Sequence, residues 1–426
     1  MKLAIIAPGS RGDVQPYVAL GKGLRNAGHA VWLVSTEDFR ELAINHGLEF
    51  VSMGDSAQGL AQEHIKGLAE QGNLLKILSA TGRGARLMAR QGAIAGLEAC
   101  QGVDAILGGL GGLSVGMALA EKLSLPFLQA YLMPFTPTRE FASVLTPALP
   151  RPLARLTNRL THHLARQMMW QMVRSANNQA RVEILGLPRA SFWGPFAAQQ
   201  HSDVPIFYGY SPAVVPVPTD WARPIHVTGY WQLDTPEAWA PPTDLLSFLE
   251  AGPPPVYIGF GSMTSLNPEA TAELVLEALR RSGQRGVVYA GWGGLQKADI
   301  PDSVLMIGST PHSWLFPRMA AVVHHGGAGT TAAGLSAGVP SIITPFFGDQ
   351  PFWGRRVAEL GVGPQPIPRR RLTAGELAKA IERAVHDRAL RERAAALGAR
   401  LRAEDGVGRA AAVLAAWAGT GQTGRA

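Results

Sequence analysis

The stretch Ala321-Val322-Val323-His324-His325-Gly326-Gly327-Ala328-Gly329-Thr330-Thr331 decides how this chain reads. Ala321–His324 is an apolar run of strand length, and a helix is expected to open through Ala332–Ser336. Small residues between them let backbone amides approach an anion. The helix start adds free N–H groups and the positive end of a dipole. A histidine beside it can donate to a phosphate oxygen. A glycine turn alone also serves close strand–helix packing, but the double histidine, three glycines and threonine pair together point to an anion site. No Gly-Lys-Ser/Thr follows, so this is not a Walker loop, and the Gly-x-Gly-x-x-Gly dinucleotide spacing is missing too.

Working outward, Pro345-Phe346-Phe347-Gly348-Asp349-Gln350-Pro351-Phe352-Trp353 comes next. An adjacent carboxylate and amide at the end of a strand, ringed by aromatics, suit hydrogen bonds to sugar hydroxyls. A helix N-cap at Asp349 is the plain alternative. Upstream and downstream, short apolar runs at Val256–Phe260, 287–290, Val304–Ile307 and 341–344 alternate with helical patterns at 270–281 and 372–386. The first half repeats the pattern, with strands expected at 3–7, 30–34, 48–51, 103–107 and 126–130. Such alternation predicts an α/β protein with two parallel sheets. The expected domains are 1–215 and 241–426, joined by a proline-marked linker at 216–240. Ligands of such sheets bind at the carboxyl ends of the strands, and a cleft between two such domains is the natural site.

Composition narrows the classes further. Of 426 residues, 46% are hydrophobic and 17% charged, which supports a large core and excludes global disorder. Cys100 is the only cysteine, so neither a disulfide scaffold nor a multi-cysteine zinc site is available. The apolar start ends at Pro8 and charged Arg11 follows, unlike a signal peptide. The long uncharged stretches are broken by glycine and proline, unlike a membrane span. A soluble cytoplasmic protein is expected. The net charge of +7 is concentrated in two blocks: 151–182, with six arginines and no acid, and 369–409, with mixed signs at helical spacing. No zinc-finger, RNA-sheet or basic-zipper motif accompanies them, so nucleic acid is not the expected partner.

Taken together, HHGGAGTT, PFFGDQPFWGRRVAELGVG, GSTPHSWLFPRM and the opening APGSRGDVQPYVALGKGLRNAGH resemble the nucleotide-sugar-dependent natural-product glycosyltransferases. The likeness is greatest to the sterol 3-glucosyltransferase branch and its bacterial relatives. It spans residues 1–50 and 205–400 and is weak between about 55 and 205. The resemblance implies the GT-B fold, two Rossmann-like domains facing across a cleft. It implies that His325 contacts the donor diphosphate, with Gly327, Gly329 and Thr330 adding donors. Ser262 matches a serine near the phosphates, and Ser309, Thr310, Pro311 and His312 match the segment that holds the uracil. Asp349 and Gln350 match the pair that binds the sugar hydroxyls. Many members place a glutamate eight residues after the phosphate histidine to grip the ribose; Ala333 stands there, as a small residue does in sterol-type members. UDP and dTDP both stay open as the nucleotide, with UDP-glucose the expected co-substrate and no further cofactor.

Transfer with inversion needs a base for the acceptor proton and a stabilised leaving group. Asp13 is the candidate base: it follows the first strand, and the Arg-Gly-Asp loop matches bacterial relatives in which this aspartate takes that role. Its alternative is an N-cap for a helix beginning near 14–16. The helix start at His325 could meet the diphosphate charge without metal, and Asp-x-Asp, the usual divalent-metal pattern, occurs nowhere. Another GT-B activity and a non-catalytic nucleotide-sugar-binding subunit are the competing readings. The acceptor is not legible; Met133, Phe135, Met168, Met169 and Trp170 suggest an apolar pocket or plain core. Finally, a helix from about 153 to 180 places its arginines in one arc and Leu153, Leu160, Leu164, Met168 and Met172 opposite. Either its apolar face packs on the core, or the basic helix rests on an anionic membrane.

Overall fold

The computed structural model describes residues 1–55, 74–146, 151–196, 203–222, 224–235, 239–260, 268–289 and 300–420; at 74–83, 151–156 and 268 this covers the backbone only. Two compact units result. One comprises residues 1–210, 217–232 and 405–426; the other comprises 211–216 and 233–404.

The first unit holds a parallel sheet of seven strands: β1 (Lys2–Ile6), β2 (Ala30–Ser35), β3 (Glu49–Ser52), β4 (Ala105–Gly108), β5 (Phe127–Tyr131), β6 (Ile206–Tyr208) and β7 (Ile225–Val227). Their order is β3-β2-β1-β4-β5-β6-β7. Leu3, Ala4, Ile5 and Ile6 are fully buried, because helices cover both faces of a parallel sheet and its central strands become continuous apolar runs. The chain runs outward from β1 through β2 to β3, then returns to β4 on the other side of β1. The sheet therefore has its switch point between β1 and β4.

The second unit repeats the plan with β8 (Val256–Gly259), β9 (Gly286–Tyr289), β10 (Val304–Ile307), β11 (Ala321–His324) and β12 (Ser341–Ile343), ordered β10-β9-β8-β11-β12. Its switch point lies between β8 and β11, which pair from Ala321 with Val256 to His324 with Gly259. Val256, Ile258, Val323 and Ile342 form the core with Leu377 and Ile381 of the helix Ala374–His386 on one face. Tyr257, Val322, Leu315 and Phe316 pack on the other.

The division of the chain differs from the expected boundary in two places beyond the linker, whose residues 217–232 belong to the first unit and supply β7. The helix Gly406–Gly419 belongs to the first unit, where Val407 fills the space that glycine leaves at Gly23 of the helix Arg11–Asn26. Residues 211–216 belong to the second unit: Ser211 Oγ donates to Glu404 Oε1 at 2.7 Å, and Arg356 holds the Val214 carbonyl with two nitrogens. Both differences come from tertiary packing, which an alanine-rich helix and a proline-rich segment do not announce.

The helix expected near 153–180 runs Arg151–Glu183. Its faces are disposed otherwise than a basic surface packed over an apolar core. Arg166 and Arg181 are buried, whereas Leu160, Leu164, Met168 and Met172 are exposed. Arg181 pairs bidentately with Glu121, and Arg166 lies over the rings of Phe135 and Phe196 and donates to the Phe135 carbonyl. Among the described residues no helix is long and apolar enough to cross a membrane.

Candidate active site

In the second unit the candidate residues gather at the carboxyl edge of the sheet. His324 closes β11 and is fully buried. Its Nδ1 accepts the Gly326 N–H at 3.1 Å, which places the ring proton on Nε2. Gly326 adopts φ +91°, a left-handed conformation that only glycine takes freely, and a Cβ there would press on Ile343 and the Gln350 carbonyl. Gly327 then caps the helix Ala328–Ala337, whose first bond runs from Thr331 N–H to the Gly327 carbonyl. The N–H groups of Ala328, Gly329 and Thr330 precede that bond and point out of the helix start.

His325 folds over this start; its Nε2 lies where a side chain at Gly327 would be. Burial holds its imidazole down to about 4, so it is neutral near pH 7. Its Nδ1 is buried and, among the described residues, has no hydrogen-bond partner; the same holds for Thr331 Oγ1. A neutral donor and open amides at a positive helix end can receive a diphosphate, whose charge would in turn favour the imidazolium.

Two further segments reach the same edge. After β10, Ser309 is exposed, Thr310 Oγ1 donates to the Gly308 carbonyl, and Pro311 precedes the short helix His312–Leu315. The His312 ring stacks on Phe316 with centroids 4.2 Å apart and meets Tyr257 edge-on, forming a flat aromatic wall. After β12, Asp349 occupies the N-cap position of the helix Gln350–Glu359, yet its Oδ2 accepts from the Trp353 indole at 2.7 Å and caps no backbone amide. Gln350 is buried, and its Oε1 ties down the N–H groups of Phe346 and Phe347. The amide that the family pattern assigns to sugar binding thus also fixes the loop that carries Asp349. Ser262 lies outside the described residues. Among the described residues no three of His, Cys, Asp and Glu are grouped to hold a metal ion.

In the first unit, Asp13 stands in the first turn of the helix that follows β1 at the switch point. The helix begins at Arg11 with Ser10 as N-cap, earlier than expected, so Asp13 is its third residue and not the cap. Its Oδ2 accepts from both the N–H and the hydroxyl of Ser10. Gly9, at φ +144°, leaves room for the carboxylate to fold back; a Cβ would meet it. Oδ1 makes no hydrogen bond among the described residues and the side chain is exposed.

A cavity of about 180 Å³ lies at the same end of this sheet. Pro8, Met53, Leu110, Phe135, Met169 and Trp170 are among its walls. Two polar groups in the wall are occupied: Asn177 Nδ2 donates to the Ser114 carbonyl and the Trp170 indole to the Ser191 carbonyl. The lining presented to a guest is predominantly apolar. Of the residues singled out as pocket candidates, Phe135, Met169 and Trp170 line this cavity, while Met168 faces solvent. Pro8, Met53 and Leu110 carry no motif, and only the fold brings them together.

Known proteins match this geometry. Residues 3–142 match the glycosyltransferase family 28 N-terminal domain, and residues 292–407 match the erythromycin biosynthesis protein CIII-like C-terminal domain. A sterol 3-beta-glucosyltransferase of Arabidopsis thaliana is 38% identical over 96% of this chain and 64% of its own length. A sterol 3-beta-glucosyltransferase of Cryptococcus neoformans is 37% identical over 96% of this chain and 27% of its own. The chain thus spans under two thirds of these relatives. Among solved structures, a glycosyltransferase of Streptomyces sp. SF2575 complexed with thymidine diphosphate superposes with a TM-score of 0.61, at 19% identity over 97% of this chain and 99% of that one. The fold is GT-B.

Proposed function

We propose, from a chain that joins a family 28 glycosyltransferase N-terminal domain to an erythromycin CIII-like C-terminal domain on the GT-B fold, that it transfers a hexose from a nucleotide sugar to a hydroxyl of a hydrophobic small molecule. UDP-glucose is the donor and a sterol the first acceptor in this reading; the sterol 3-beta-glucosyltransferase relatives support glucose as the sugar and a sterol as the acceptor. The observation that carries it is the helix start at His325, with an unpartnered buried Nδ1 and open amides at the switch point of the second sheet.

Ser10 fixes one carboxylate oxygen of Asp13, which leaves Oδ1 to take the acceptor proton. The acceptor oxygen forms its bond to the anomeric carbon as the bond to the diphosphate oxygen breaks on the opposite face, so configuration inverts. The negative charge that develops on the diphosphate meets the first-turn amides and His325, fixed in place before reaction. Asp349, oriented by Trp353, is assigned to the sugar hydroxyls in this reading. No divalent metal is required in this scheme, and EDTA should leave turnover unchanged. The apolar cavity beside the β1 loop suits a greasy acceptor. Incubating the protein with UDP-glucose or dTDP-glucose and a panel of sterols, flavonoids and macrolides tests the reading. Glucosylated sterol is the expected product; no transfer from either donor to any acceptor would refute it.

A further inference from the structure

Asn177 stands in the wall of the apolar cavity with half of its amide unspent. It is only 4% exposed, and it follows Met169 and Val173 at four-residue spacing on the helix Arg151–Glu183, so all three wall residues share one side of that helix. Its Nδ2 donates to the Ser114 carbonyl at 3.0 Å. A carbonyl only accepts, so this bond fixes which end of the amide is which. Oδ1 is left with no hydrogen bond among the described residues. A buried amide oxygen without a partner is costly, and this one is locked in the wall by its own nitrogen.

Donors belong to the same part of the wall. Ser114 lies in the first turn of the helix Leu113–Leu123, whose N-cap is Gly112 and therefore offers no side-chain acceptor. The first bond of this helix runs from the Gly116 N–H to the Gly112 carbonyl, so the N–H groups of Leu113, Ser114 and Val115, wall residues all three, precede it. The Ser114 hydroxyl has no hydrogen bond among the described residues. A Cβ at Gly111 or Gly112 would strike the Pro8 or the Ile6 carbonyl, so the turn closes tightly on the end of β1 and fixes the helix start there. One acceptor beside several donors selects the guest group. A hydroxyl satisfies both kinds. A ketone leaves Oδ1 unpaired, a carboxylate is repelled by it, and a hydrocarbon leaves every group unmet. Asp13 is exposed and is not a wall residue, so the hydroxyl read at Asn177 is not the one that meets Asp13.

We propose that Asn177 and the helix start at Ser114 form a specificity subsite for a second hydroxyl of the acceptor, remote from the one that is glucosylated: the guest O–H donates to Asn177 Oδ1, and its oxygen accepts from Ser114. This rests on the cavity being the acceptor site, as in the function proposed above. The test uses three steroids with the same rings and the same ring-A hydroxyl, which carry at the far ring a hydroxyl (androstenediol), a ketone (dehydroepiandrosterone) or hydrogen alone (the corresponding deoxy-steroid). Equilibrium dialysis of each with the full chain, without donor, reads affinity apart from transfer. The parent should bind the diol at least about tenfold more tightly than the other two, because a site built around a hydroxyl rejects analogues that lack it. Asn177→Leu removes Oδ1 and should bring the three affinities together. Ser114→Ala keeps the backbone carbonyl that Nδ2 bonds, so the melting temperature should hold while the diol loses part of its advantage; this variant tests the subsite even where Asn177→Leu loses stability with its tie. UDP affinity should stay parental in both, since the His325 turn belongs to the other unit. Equal affinity of the parent for diol and deoxy-steroid, no binding of any of the three, or a parental preference in Asn177→Leu would overturn the proposal. Selective binding of the diol without transfer to it from UDP-glucose or dTDP-glucose would support the subsite and refute the transfer reading.

Discussion

Ser10 clamps Asp13: its backbone N–H and its hydroxyl donate to the same carboxylate oxygen, at 2.9 and 2.7 Å. One pair therefore starts a helix and holds the carboxylate proposed as the base. Ser10→Ala keeps the backbone donor and removes the hydroxyl, together with the side chain that caps the helix. Stability should fall by about 0.5–2 kcal/mol, the usual cost of losing such a cap. Turnover should drop severalfold with little change in donor KM. Urea unfolding and steady-state kinetics check the two effects separately; a changed stability with unchanged kcat would leave the clamp purely structural.

His325→Ala should weaken UDP binding. A charge-assisted hydrogen bond contributes about 1.5–3 kcal/mol, so the loss is roughly ten- to hundredfold in affinity. Calorimetry on the purified chain reads it directly; unchanged affinity would remove His325 from the diphosphate site.

Acid should destabilise the protein before its carboxylates titrate. Burial holds His325 at about 4, and His162, whose Nε2 faces the Phe141 carbonyl, also at about 4. In the unfolded chain histidine titrates near 6.5. Between those values the unfolded state binds protons that the folded state refuses, so stability is full above about 6.5 and declines as pH falls toward 4. His162→Gln should flatten that decline, seen as melting temperature against pH. Adding UDP should flatten it as well, because the nucleotide diphosphate favours protonated His325.

Ala89 lines the apolar cavity, and Ala89→Phe would fill it. Acceptor KM should rise or transfer vanish while UDP affinity stays as it was, because the cavity and the His325 turn belong to different units. Parent-like kinetics with a sterol in this variant would move the acceptor elsewhere.

The sheets were legible because both are parallel and their central strands read as short apolar runs: β1, β8 and β11 lie within a residue or two of where periodicity puts them. The turn at His325 was legible because its glycines answer local demands, Gly326 a left-handed φ and Gly327 the ring of His325. Three things were not. The start of the helix at Arg11 depended on Ser10, hidden behind a better-looking capping aspartate. The cavity draws single residues from distant segments. Arg166 looked like surface but is buried against Phe135 and Phe196, because a guanidinium can lie flat on aromatic rings. Its burial turns the helix, and so Met168 and Met172 face solvent instead of core.

The most direct test of the central claim is the rate at which Asp13→Asn, beside the parent, forms UDP and glucosylated sterol from UDP-glucose. An asparagine oxygen can still accept from Ser10, so fold and donor affinity should persist while transfer falls by at least a hundredfold. Near-parental transfer by Asp13→Asn would contradict the base assignment, and no transfer by the parent itself would contradict the glycosyltransferase reading.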